Sequence, residues 1–103
     1  MQYINRDFED TNEITIKSWT KNNFEFINHY FNIKIIGLFR HDNDGFGDTI
    51  IDNVDWVSLH KIKRQCVKYF DTLDDDEDTL YEILIDATDD EGNDGTISYY
   101  FNL

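Results

Sequence analysis

Two runs near the end of the chain leave little freedom in how it folds. Leu80–Thr88 reads LYEILIDAT, and Thr96–Leu103 reads TISYYFNL. In the first, Tyr81, Ile83, Ile85 and Ala87 fall on one side, with Glu82 and Asp86 on the other. In the second, Ile97, Tyr99, Phe101 and Leu103 share a side. A period of two marks a strand with one buried face. Between the runs lies DDEGNDG, rich in residues that form turns. The pair reads as a β-hairpin whose apolar face needs a covering layer.

That layer is predicted at Val54–Leu73. Trp56, Leu59, Ile62 or Lys63, Cys66, Tyr69 or Phe70, and Leu73 recur every three to four residues, the stripe of an amphipathic helix. Asp52 or Asp55 stands where a helix start favours an acid. Lys61, Arg64 and Lys68 fall on a second face. Upstream, Ile14–Thr20 (ITIKSWT) alternates as a short strand, and Ile33–Arg40 (IKIIGLFR) is apolar enough to be buried on both faces. In Asn22–Phe31, Phe24, Ile27 and Phe31 fit a helix, while Phe24 and Phe26 also fit a strand; the helix is favoured. The 103 residues show no repeat and amount to one domain, 1–103. The expected class is α+β: an antiparallel sheet with a C-terminal β-hairpin packed against one long amphipathic helix over residues 54–73.

Charge narrows the function. The net charge is −13, where a small domain stays soluble with about 2–8 units. The charge comes in blocks. Residues 1–41 balance five acids with five bases; residues 42–56 hold five acids and no base; residues 57–70 hold four bases and no acid; residues 71–103 hold twelve acids and no base. Such a chain repels nucleic acid, itself a polyanion. It complements a basic partner, which acidic loops can steer towards capture. No run nears the ~20 apolar residues of a membrane helix. The opening MQYINRDFED lacks the basic start and apolar core of a signal peptide. The single Cys66 cannot form an internal disulfide and is expected as a small buried side chain. A cytoplasmic setting follows.

RHDNDGFGD, residues 40–48, invites a calcium reading. Counting from Asp42 puts Asp42 and Asp44 at the first and third ligand positions of an EF-hand loop and Gly47 at the sixth. The fifth is then Phe46 and the twelfth Asn53, neither of which supplies the required carboxylate. The expectation is a polar strand-to-helix connection, with no metal and no cofactor. Enzymatic signals are also missing. His29, His41 and His60 accompany no nucleophile elbow and no phosphate-cradling glycine loop. The chain is not expected to be an enzyme.

Over its whole length, in size, acidity, scarcity of cysteine and richness in Asn, Asp and Ile, the chain resembles the small immunity proteins that pair with bacterial nuclease toxins. These include the immunity partners of contact-dependent growth inhibition systems and of nuclease colicins. The resemblance implies a cognate, basic nuclease toxin domain, bound over or beside its active site by a protein that is monomeric when free. An alternative on the same acidic surface is a phage-type nucleic-acid mimic that inhibits a restriction, repair or CRISPR protein. A calcium-dependent interaction module is a third class.

Charge and position nominate the contact residues: Asp42, Asp44 and Asp48 in the first acidic stretch; Asp74, Asp75, Asp76, Glu77 and Asp78 in the second; Asp89, Asp90, Glu91 and Asp94 in the third. Tyr100, on the outward register of its strand, is the favoured aromatic anchor. Trp56 and Tyr99 are weaker candidates, with core packing expected for Trp56. Neutralising residues 74–78 together is expected to slow association and barely affect folding.

Overall fold

The computed structural model describes residues 4–42, 45–51, 56–73, 75 and 79–103, with backbone alone for 42 and 45–51. In chain order the elements are β1 (Glu13–Thr15), α1 (Lys21–Tyr30), β2 (Phe31–Asp42), β3 (Gly45–Ile51), α2 (Leu59–Tyr69), β4 (Leu80–Asp89) and β5 (Asp94–Phe101). The strands form one sheet in the order β1-β5-β4-β2-β3. The class is α+β, as the sequence predicts. The sheet is mixed rather than purely antiparallel, because β1 runs parallel to β5. The other three pairings are antiparallel.

The alternation of β4 organises the core. Tyr81, Ile83, Ile85 and Ala87 are buried on one side, against Ile97 and Phe101 of β5 and Ile36 and Leu38 of β2. Each fully buried isoleucine stabilises the fold by about 1.5–3 kcal/mol relative to exposure. Phe24 and Ile27 of α1 and Ile62 and Cys66 of α2 join the same cluster, so both helices cover the same sheet face. Burial first, then the nearby Asp75 carboxylate, push the Cys66 thiol up to about 12. The thiol therefore stays protonated and inert at neutral pH.

Several boundaries differ from the sequence reading. The helix expected over 54–73 is the 11-residue α2. Its N-cap is Ser58, whose hydroxyl accepts from the Lys61 amide, while Asp52 and Asp55 lie outside the described residues. Trp56 and Val57 precede the helix and pack on the core as irregular chain. The Trp19 indole donates to the Val57 carbonyl at 2.7 Å and stacks on Trp56 at 5.7 Å between centroids. Leu73, expected on the buried stripe, is 93% exposed. The strand expected over 14–20 stops at Thr15; Trp19 turns into the core and Thr20 caps α1. The helix favoured for 22–31 is α1, and Phe31 opens β2 instead.

The stretch after Arg40 is no strand-to-helix connection. β2 continues to Asp42 and pairs with β3, Asp42 opposite Gly45 and Phe39 opposite Asp48. A ladder on both sides replaces the helices that flank an EF-hand loop, which removes the basis of the calcium reading.

Candidate functional site

The thirteen nominated residues sort by what holds them. Asp44, Asp74, Asp76, Glu77 and Asp78 lie outside the described residues. Asp42 and Asp48 are placed by backbone only, in β2 and β3. Of the remaining six, three are committed inside the molecule.

Asp75 accepts from Arg40 Nη2 at 2.8 Å and from the Tyr81 hydroxyl at 2.7 Å. The Arg40 and Asp75 side chains are only 18% and 15% exposed. Burial, and then the hydrogen bond to Asp75, raise the Tyr81 phenol. Asp75 thus fixes the segment after α2 to the sheet.

Asp89 closes the β4–β5 turn. One carboxylate oxygen accepts from the amides of Glu91 and Asn93, at 2.9 and 2.8 Å. The other accepts from the Asn93 side chain and from the amide of Phe8, 81 residues away in sequence. Gly92 supplies the left-handed residue of this turn, at φ 84°. Burial raises the Asp89 carboxyl, but the hydrogen bonds from Phe8, Asn93 and Glu91 outweigh it, and its pKa falls below the ordinary 3.8. The sign for stability follows. A depressed carboxylate contributes fully above the unfolded value of 3.8, and the contribution is lost as pH falls through the folded value. Asp89→Asn is therefore expected to melt below wild type at neutral pH, with the gap closing as pH drops below 3.8. Melting curves across roughly pH 2–7 check this; a gap of constant size would show that the carboxylate charge plays no part.

Asp94 pairs with Lys34 at 2.6 Å and accepts from the Thr88 hydroxyl at 2.8 Å. Both bonds lower its carboxyl, Lys34 first.

Asp90 and Glu91, at the tip of the turn, are exposed. Glu9 is the main cause of a raised Glu91 carboxyl, followed by burial, Asp7 and Asp89. The charged groups that raise it, Glu9, Asp7 and Asp89, are all acids. The structure therefore adds Asp7 and Glu9 to the third acidic stretch. They belong to a segment with balanced charge, so linear charge does not reveal them. Phe8 brings them in: its ring packs on Phe31 at 4.9 Å while its amide reaches Asp89.

Tyr100 lies on the sheet face away from the helices and is 44% exposed, as its outward register predicts. It pairs with Glu82 across β4–β5. Glu82 is buried, its Oε1 2.8 Å from His41 Nε2 and its Oε2 accepting from Ser98 Oγ at 2.7 Å. Burial, then Glu82, raise the Tyr100 phenol. The carboxylate stands between imidazole and hydroxyl, an order that fixes side chains rather than one in which the imidazole takes the serine proton. Neither Glu82 nor Ser98 stands out by charge or motif; the available signal is an acid and a hydroxyl on the outward register of adjacent strands.

No family model matches the chain, and no curated protein or solved structure matches it. Among the described residues, no helix is long and apolar enough to cross a membrane.

Proposed function

We propose that this protein is a binding inhibitor of the immunity type, which captures and neutralises a basic nuclease toxin. The observation that carries the reading is the acidic end formed by Asp7, Glu9, Asp90 and Glu91, where the Phe8 amide bound to Asp89 brings the N-terminal acids to the exposed turn and Glu9 and Asp7 raise the Glu91 carboxyl. Crowding like charges costs stability, and a partner that brings cations recovers it. Such a field raises association rates with a basic surface towards ~10⁸–10⁹ M⁻¹s⁻¹ at low salt. Rapid capture suits a target that is harmful once made. Asp75 and Asp89 serve the fold, while Asp94, paired with Lys34, is 74% exposed and stands with the exposed acids.

The test is capture on the tagged protein from its native host, at about 50 mM and about 500 mM salt, the range over which exposed charge is screened. One basic nuclease retained at both, and inactive on nucleic acid while bound, is the expected result. A captured nuclease that stays active overturns inhibition. Many nucleic-acid-binding proteins held only at low salt would favour the nucleic-acid mimic instead.

A further inference from the structure

Both helices cover one side of the sheet, and among the described residues no helix lies on the other. The outward positions of β4 are Glu82, Leu84, Asp86 and Thr88, alternating with the buried set. Cross-strand register places Phe39 and Tyr100 beside Glu82 and Ile35 beside Asp86. Two of these are large apolar side chains left in water: Tyr100 at 44% and Ile35 at 46%. Beside Ile35 a depression of about 340 Å³ is lined by Lys34, Asp86, Asp94 and Thr96. Tyr100 and Ile35 flank β4 on opposite sides, offset by four residues, about 13 Å along the strands and about 10 Å across them.

We infer that this helix-free face is the docking surface for a segment of the basic partner, with Tyr100 as the anchor and the Ile35 depression, where Lys34 already answers Asp94, taking an apolar side chain. The inference rests on the inhibitor reading above and names the surface it uses. Charge selects the occupant. Glu13 and Asp86 sit at outward register positions on this side; Lys34 is matched by Asp94 and Glu82 is engaged by His41 and Ser98, so the remaining acids attract a cationic segment. A second copy packed face to face would set these acids against one another, on a chain of net charge −13. Tyr100 stands opposite Glu82 in register and 6.5 Å from the His41 ring, beside side chains that Glu82 holds in place. The turn acids then govern encounter, and the sheet face governs residence.

The probe is a twelve-residue peptide of alternating arginine and leucine, titrated into the ¹⁵N-labelled protein. Amide shifts are expected to centre on Ile35, Phe39, Leu84, Ser98 and Tyr100. Tyr100→Ala, at an exposed site, is expected to weaken the peptide roughly tenfold or more, with an unchanged melting temperature showing that the fold is intact. Shifts confined to Glu9, Asp90 and Glu91, or an absence of shifts, overturn the inference. Shifts on this face that track protein concentration before peptide is added would give the face to a second copy and overturn it too. The two readings fail separately. Peptide on this face with no nuclease captured removes the inhibitor and leaves the surface. A nuclease captured undiminished by Tyr100→Ala combined with Asp86→Lys removes the surface and leaves the inhibitor.

Discussion

Replacing Asp75 with alanine is expected to destabilise the protein by about 2–3 kcal/mol, although it removes one negative charge from a chain with too many. Total charge and local geometry make opposite forecasts here, and magnitudes decide between them. Relief of repulsion between exposed acids is worth tenths of a kcal/mol at physiological salt, because water and ions screen it. Asp75 is different. It holds Arg40 in a pair that is largely out of water, and it takes the Tyr81 hydroxyl as well. Alanine strands the Tyr81 hydroxyl and takes from Arg40 the carboxylate it holds at 2.8 Å. Removing one partner of a fully buried pair costs about 3–5 kcal/mol, and the residual exposure of this pair lowers that figure.

The check is chemical denaturation of three variants. Asp75→Ala is expected to shift the midpoint strongly. Asp75→Asn, which keeps an acceptor, is expected to lose about half as much, since a neutral hydrogen bond is roughly half as strong as a charge-assisted one. Glu91→Gln, at the crowded turn, is expected to hold or raise stability. If Asp75→Ala matches wild type, the ion pair contributes nothing and the segment is a solvated linker. Its bonds to Arg40 and Tyr81 set Asp75 against the expectation that residues 74–78 can be neutralised together at little cost to folding. A set that spares Asp75 is the proper probe of the second acidic stretch.

Local pattern explains which elements could be read from the chain. β4 and β5 carry apolar residues at every second position, and α1 carries Phe24 and Ile27 at helical spacing, so each signal lies within one element. β3 has no such signal. GFGDTII looks like loop, with two glycines and an acid in four residues, and becomes strand because β2 offers it a ladder. The start of α2 was misplaced because Trp56 fits a helical stripe while serving as a cap over Trp19. The acids show the same division. Asp75, Asp89 and Asp94 look like Asp90 and Glu91 in sequence. They differ because their partners Arg40, Phe8 and Lys34 lie 35, 81 and 60 residues away. Separations of that size leave no trace in linear charge. Tyr100 was legible because its exposure follows from strand register alone.

Gly95 carries the second large effect. It sits opposite Ala87 on the core side of the sheet. The N-terminal segment crosses directly over it: a Cβ there would stand 2.7 Å from the Asn12 carbonyl oxygen and 2.7 Å from the Phe8 ring. The carbonyl cannot withdraw freely, because it accepts from the Thr96 amide at 2.9 Å. The ring is packed on Phe31. Gly95→Val is therefore expected to cost about 1–3 kcal/mol by overpacking, with Gly95→Ala at the lower end. The damage should be local before it is global. Residues 4–12 would lift, Phe8 would leave Asp89, and amide exchange at Phe8 and Thr96 would rise well ahead of that in β4. Lifting this segment also carries Asp7 and Glu9 away from Glu91. The same variant should then slow association with a basic partner while leaving Tyr100 in place. Hydrogen exchange and association rates measured on one sample separate these effects. Exchange at Phe8 and Thr96 unchanged from wild type would mean that the segment does not cross Gly95, and the acidic end would lose two of its four members.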